Sequence, residues 1–158
     1  MIPAAPPANL EAEMSVLGTL LAFYTPEAVI VAQAAGLKWS DFSVQQHRVV
    51  YRAILKLHAK GDEVDSITVR RLMDVHRMSD GRTGVLLDLL VASARPASLR
   101  EHARIIAEDG RWRRWVSAAL AALEAAERRD SKEFWEAIGA IREDALPGEL
   151  RLVESGAA

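Results

Sequence analysis

The side chains best suited to chemistry lie in one short run, Arg111-Trp112-Arg113-Arg114-Trp115, where basic and aromatic residues alternate as they do on single-strand nucleic-acid surfaces. Guanidinium groups there would neutralise phosphates while indole faces stack on bases. Helical spacing divides the run: Trp112 and Trp115 fall on neighbouring turns of one face, and Arg111 and Arg114 on the adjoining one. The tryptophans then pack or form a protein interface, and the arginines face solvent or acidic neighbours. Packing or a protein interface is the preferred reading; a weak nucleic-acid contact through Arg111, Arg113 and Arg114 is the alternative. Arg70-Arg71 and Arg128-Arg129 are too short to be more than solvated faces.

Other chemistries lack their residues. Nucleotide hydrolysis needs a Gly-x-x-x-x-Gly-Lys-Ser/Thr loop, because backbone amides must wrap the phosphates while the lysine neutralises them. Gly81 and Gly84 are the only closely spaced glycines in the helical body, and no Gly-Lys-Ser/Thr follows. His47, His58, His76 and His102 show no His-x-x-x-His spacing, so no zinc site is expected. His47 on an apolar face reads as a satisfied core or connector histidine. Glu11 and Glu13, two apart on a helix, point in different directions and cannot share a substrate; they are expected to complement the helix dipole. No catalytic, cofactor-binding or metal-binding residue is assigned, and catalysis by this chain alone is not expected.

The bulk composition is that of a folded protein, with 50% hydrophobic and 27% charged residues in 158. A formal net charge of −2 gives no global field to hold a polyanion, so DNA contact would need a local basic patch. Cysteine is absent, which removes disulfides and thiolate metal sites. No signal region or membrane-spanning apolar run is present, and a cytoplasmic protein is expected.

Helices must position these groups. Asn9 can cap a first helix with an apolar face of Leu10, Met14, Leu17 and Leu21. Thr25-Pro26-Glu27 restarts the chain with a cap and a proline in the first turn, and Gly36 closes that helix. Trp39 and Phe42 sit in a connector, pressed onto the core. Ser43 to Gln46 has capping-box spacing, and the helix it begins carries His47, Val50, Tyr51, Ile54 and Leu57 up to Gly61. Asp65 or Ser66 caps the next helix, with Ile67, Leu72 and Met73, which ends at Ser79 to Arg82. Val85 to Val91 is apolar almost all round, where a buried helix is preferred over a strand.

From Ser98 the helical pattern runs about eight turns, through Leu99, Ala103, Ile106, Val116, Leu120 and Leu123. Gly110 lies mid-run, at a cost of roughly 1 kcal/mol against alanine, so a bend or division is expected there. Arg128-Arg129-Asp130 turns the chain, Asp130 with Glu133 makes a second capping box, and a last helix carries Phe134, Trp135, Ile138 and Ile141. Two long helices so briefly joined must lie antiparallel. Trp135 would meet Trp112 or Trp115 across the pair, or anchor a partner. The expected fold is all-α: an arm at 1–8, a compact helical bundle at 9–97, a long antiparallel hairpin at 98–146, and a tail or linker start at 147–158. Neither hairpin helix can bury its stripe on the other completely. Trp112, Trp115, Leu120, Leu123, Phe134, Trp135 and Ile138 are therefore the candidate protein interface.

The chain resembles the amino-terminal domain of hexameric DnaB-type replicative DNA helicases over roughly residues 6 to 145. The matching residues are dispersed but ordered: Pro7, Glu11, Ala12, Glu13, Ser15, Val16, Leu17 and Gly18; then Phe42, His47, Ile54, Leu57, Gly61, Val64, Asp65, Thr68 and Leu72; then Gly84, Leu87, Leu90, Ala103, Ile105, Ile106, Arg113 and Arg114. His102 stands where the family usually shows tyrosine, and Gly110 interrupts a normally continuous helix. The resemblance implies an all-helical, non-catalytic domain that pairs into dimers, three of which form a collar on the hexamer, with the hairpin surface docking primase or a loader. It implies no cofactor, and an ATP-driven motor only in a separate carboxy-terminal domain. Two functional classes remain open: this assembly module, and a stand-alone accessory or regulatory protein that binds single-stranded DNA or a helicase ring. Whether the chain is a fragment of a helicase or a complete small protein also stays open.

Overall fold

The computed structural model describes residues 6–145, and the tail expected at 147–158 lies outside them. Among the described residues there are seven α-helices and no strand: α1 (Leu10–Ala22), α2 (Pro26–Ala34), α3 (Gln45–Lys60), α4 (Ser66–Val75), α5 (Thr83–Ala92), α6 (Leu99–Glu127) and α7 (Ser131–Asp144). Short 3-10 turns stand at Trp39–Asp41 and Pro96–Ser98. The all-α expectation holds.

Most helix ends form as local chemistry requires. Asn9, Thr25 and Asp130 each accept from the backbone N–H three residues on, at 2.9, 3.1 and 3.0 Å. Asp65, rather than Ser66, caps α4: its carboxylate takes the Thr68 N–H at 2.7 Å while the Thr68 hydroxyl takes the Asp65 N–H at 3.0 Å. Gly61 ends α3 in the left-handed conformation that a side chain would resist. The box expected at Ser43–Gln46 does not form. Val44 takes the N-cap position without a side-chain acceptor, and the Ser43 N–H goes instead to Glu13, far away in sequence.

The chain divides into two compact units, Pro7–Gly110 and the residues from Arg111 on, with α6 one continuous helix across the division. The sequence placed the start of the hairpin at 98. Leu99, Ala103 and Ile106, at the beginning of α6, instead belong to the core of the first unit.

In that unit α1 is the central helix, buried at Ala12, Glu13 and every position from Ser15 to Leu21. Its amphipathic face was drawn too narrowly: Leu10 is exposed, while Ser15, Val16, Gly18, Thr19 and Leu20 lie inside. Helix α5 crosses α1 closely enough that a Cβ on Gly18 would stand 1.8 Å from the Leu90 carbonyl oxygen. Glycine is required here for backbone approach. The stretch at Val85–Val91 is helical, with Leu87 and Leu90 inside but Val85 and Leu89 facing out. Phe42 is fully buried and packs on Tyr51 at 5.0 Å between ring centroids. Trp39, expected on the core beside it, is 45% exposed.

Gly110 neither ends nor divides α6 as a helix. A Cβ there would lie 2.5 Å from Asp41 Oδ1 and 2.8 Å from Asp41 Cα, so α6 reaches the Trp39–Asp41 turn only because the position is bare. The propensity cost of about 1 kcal/mol is exchanged for that approach.

Candidate functional site

The first unit is tied together by polar side chains on its buried helix. Glu13, 1% exposed, accepts the Ser43 N–H at 2.6 Å through Oε1, and its Oε2 lies 2.7 Å from His47 Nδ1. Burial pushes the Glu13 carboxyl up, but the hydrogen bonds from His47 and Ser43 outweigh it and hold the group below its ordinary value. Ionised, it is an acceptor only, so His47 Nδ1 is the donor. Ser15 Oγ meets His102 Nδ1 at 2.8 Å, and Thr19 Oγ1 accepts the Arg95 N–H at 2.9 Å. One helix thus fixes the start of α3, the approach to α6 and α6 itself.

The expectation that Glu13 only complements a helix dipole is corrected by this pairing. A signal was present: Glu13 is three, four and seven residues from Val16, Leu17 and Leu20, so it shares their buried face. His47 is the satisfied core histidine expected. The arrangement positions helices; it offers no open carboxylate or imidazole for acid–base work. Asp41 is likewise buried, and its Oδ2 accepts the Lys38 N–H at 2.7 Å. Burial, with the charge of Asp41 added, pushes the Tyr51 phenol above its ordinary value.

The second unit holds the run singled out at the start. α6 and α7 are joined at Arg128 to Asp130, where Arg129 takes a positive φ of 58° and the Asp130 N–H reaches back to Ala125 O at 2.9 Å. Further along, Arg114 makes a two-pronged ion pair with Asp144: Nε to Oδ2 at 3.0 Å and Nη2 to Oδ1 at 3.1 Å. Arg114 stands near the start of this part of α6 and Asp144 at the end of α7, so the two helices are antiparallel. A surface groove beside the ion pair is lined by Arg114, Ser117, Ala118, Ala121, Ala137, Ala140, Glu143 and Asp144, and Ala122 and Ala125 are buried.

Large side chains of the hairpin are divided between half-buried and exposed positions. Trp112 is 47% exposed, Leu123 57% and Trp135 67%, with Leu120 also exposed and Trp115, Phe134 and Ile138 half-buried. Trp112 and Trp115 meet edge-to-face at 4.9 Å, as helical spacing predicts, and the Arg111 guanidinium lies 5.3 Å from the Trp115 ring centroid. Trp135 does not make the expected contact with Trp112 or Trp115; it turns to Phe134, 5.2 Å away on its own helix. Of the three arginines offered for nucleic acid, Arg114 is taken up by Asp144, and Arg111 and Arg113 also have interactions within the protein.

The described residues thus form an all-helical fold with a central buried helix bearing Glu13, Ser15 and Gly18, followed by a hairpin with exposed aromatic and aliphatic side chains. Residues 5–108 match the family model described as the DnaB-like helicase N terminal domain, and the chain belongs to that family. It is 35% identical over 117 residues to the replicative DNA helicase DnaB of Leifsonia xyli subsp. xyli, and 31% identical over 116 residues to the replicative DNA helicase DnaC of Bacillus subtilis. Each alignment covers 72% of this chain but only 24% and 25% of the relative, so the chain spans about a quarter of their length. Its structure is similar to the crystal structure of the N-terminal domain of DnaB helicase from Mycobacterium tuberculosis, with a TM-score of 0.75 and 27% identity, over 87% of this chain and 99% of that one. No helix among the described residues is long and apolar enough to cross a membrane.

Proposed function

We propose that this chain is a non-catalytic assembly and interaction module of a replicative DNA helicase. It associates with copies of itself through the hairpin, dimers building toward a collar, and offers the remaining hairpin surface to a primase or a helicase loader in the cytoplasm. The observation that supports this reading is the set of large apolar side chains the hairpin leaves exposed, Trp112, Leu120, Leu123 and Trp135. Exposed apolar surface of this kind is characteristic of an interface. A single face presented by identical chains is readily self-complementary, which makes a twofold dimer the expected unit.

Sedimentation velocity over a range of concentrations tests the proposal. Self-association is expected, and Leu123→Glu with Trp135→Glu should reduce it while helicity by circular dichroism stays unchanged, since both side chains are exposed. A strict monomer at high concentration would overturn it. The single-stranded DNA reading is weakened by the pairing of Arg114 with Asp144. A salt-sensitive gel shift of oligonucleotide, lost on Arg113→Ala, would revive it.

A further inference from the structure

A second surface lies in the first unit, independent of the hairpin. Between α3, α4 and the Trp39–Asp41 turn runs an open groove of about 530 Å³, lined by Trp39, Arg52, Leu55, Lys56, Leu72 and Met78 among others. Ala53, Leu55, Leu72 and Met78 supply apolar lining, and the exposed Trp39 forms a wall. A space of this size takes one or two large side chains.

Its charge is one-sided. Arg52, Lys56 and His76 line the groove and no carboxylate does. Among the described residues neither Arg52 nor Lys56 pairs with an acid: the Arg52 guanidinium lies 4.9 Å from the Trp39 ring centroid, and the Lys56 ammonium donates to His76 Nε2 at 2.7 Å. A cation held by an indole face and an imidazole keeps most of its charge for an incoming anion. The local excess is built in, since the chain as a whole carries a net charge of −2.

We infer that this groove docks an acidic amphipathic peptide segment of a partner protein, which places an apolar side chain against Trp39, Leu55, Leu72 and Met78 and carboxylates against Arg52 and Lys56. An amphipathic helix laid in an apolar groove is a recurrent mode of recognition, and complementary charge sets its register. Nucleic acid fits less well. Half of the lining residues are aliphatic or methionine, two cations do not make a track for a backbone, and one face of the groove's indole, Trp39, is occupied by Arg52.

The test uses the whole chain and a fluorescein-labelled amphipathic peptide of Leu, Phe and Glu at helical spacing, followed by anisotropy. Binding is expected to weaken about tenfold or more in Arg52→Glu with Lys56→Glu, and to fall as salt rises from about 50 mM to about 500 mM. Both residues are exposed, and circular dichroism checks that the variant folds. Chemical-shift mapping on the wild-type chain should move the Trp39 indole and the Leu55, Leu72 and Met78 methyl signals, a readout that does not depend on any variant. Equal binding of the same peptide with Lys in place of Glu would overturn the inference, as would shifts confined to other surfaces. So would displacement of the peptide by oligothymidylate, which points to nucleic acid, or a groove variant that changes the sedimentation coefficient, which points to a second copy of the chain.

Discussion

Gly18→Ala adds one methyl group and should be among the most damaging small substitutions in the first unit. The new Cβ would sit 1.8 Å from the Leu90 carbonyl oxygen, 2.8 Å from its carbon and 3.0 Å from the Ala94 nitrogen. A Cβ has no rotamer by which to escape, and the atoms it meets are backbone, so α5 must retreat from α1 by about 1.2 Å or more. Overpacking of a close-packed interior costs about 1–3 kcal/mol, and a backbone obstacle belongs at the upper end. Alanine returns about 1 kcal/mol in helix propensity, which leaves a net loss of about 2 kcal/mol. That is a large part of the roughly 5–15 kcal/mol by which domains are stable. Urea unfolding followed by circular dichroism should show the midpoint falling by about 1 M. Gly139→Ala is the matched control: it also lies within a helix, but nothing stands within 4 Å of the added Cβ, so stability should rise by about 0.5–1 kcal/mol. If Gly18→Ala left the midpoint unchanged or raised it, the close α1–α5 crossing would be wrong.

Gly110→Ala should also destabilise, because its Cβ would lie 2.5 Å from Asp41 Oδ1, 2.6 Å from its Cβ and 2.8 Å from its Cα, so trimming the Asp41 side chain to alanine in the same chain should not restore stability in urea unfolding. Glu13 makes stability depend on pH: its folded pKa lies below its ordinary value of 4.5, so its contribution is complete above that value and is lost as pH falls through the folded one. The advantage of the wild type over Glu13→Gln, measured by urea unfolding, should therefore shrink on acidification below about pH 5 and not on going from neutral to mildly basic pH. Arg114→Ala removes the partly exposed clamp on Asp144 and should cost about 1 kcal/mol, with faster hydrogen exchange at the end of α7. An unchanged exchange pattern would mean that the clamp contributes nothing to docking α7.

What could be read from the order of residues was what depends on neighbours along the chain. Capping by Asn9, Thr25, Asp65 and Asp130, the left-handed stop at Gly61, the turn at Arg128 to Asp130 and the same-face pairing of Trp112 with Trp115 are set within four residues and stand as expected, except that the box at Asp130 is half-formed, its N–H going to Ala125 and the Glu133 carboxylate to Arg128. The family, too, was legible in the sequence, and residues 5–108 match its model. Pairs brought together by packing left weaker traces. Glu13 meets Ser43 and His47 across separations of 30 and 34 residues, so a carboxylate that looked like a dipole partner became the buried tie between α1 and α3.

The candidate site divides along the same line. The sequence by itself determined an all-helical chain of the DnaB-like amino-terminal family, ending in a hairpin with more apolar surface than two helices can hide. Only the tertiary structure decided that Arg114 belongs to Asp144, that Trp135 turns to Phe134, and that Ala122 and Ala125 are buried while Trp112 and Leu123 remain outside. It also decided that Gly18 and Gly110 are bare because another backbone passes there, and that Trp39 lines a basic groove where a core contact was expected. The physical reason is range: helix propensity and capping act over a few residues, whereas close packing and burial bring together residues whose separation in the chain carries no mark of their meeting.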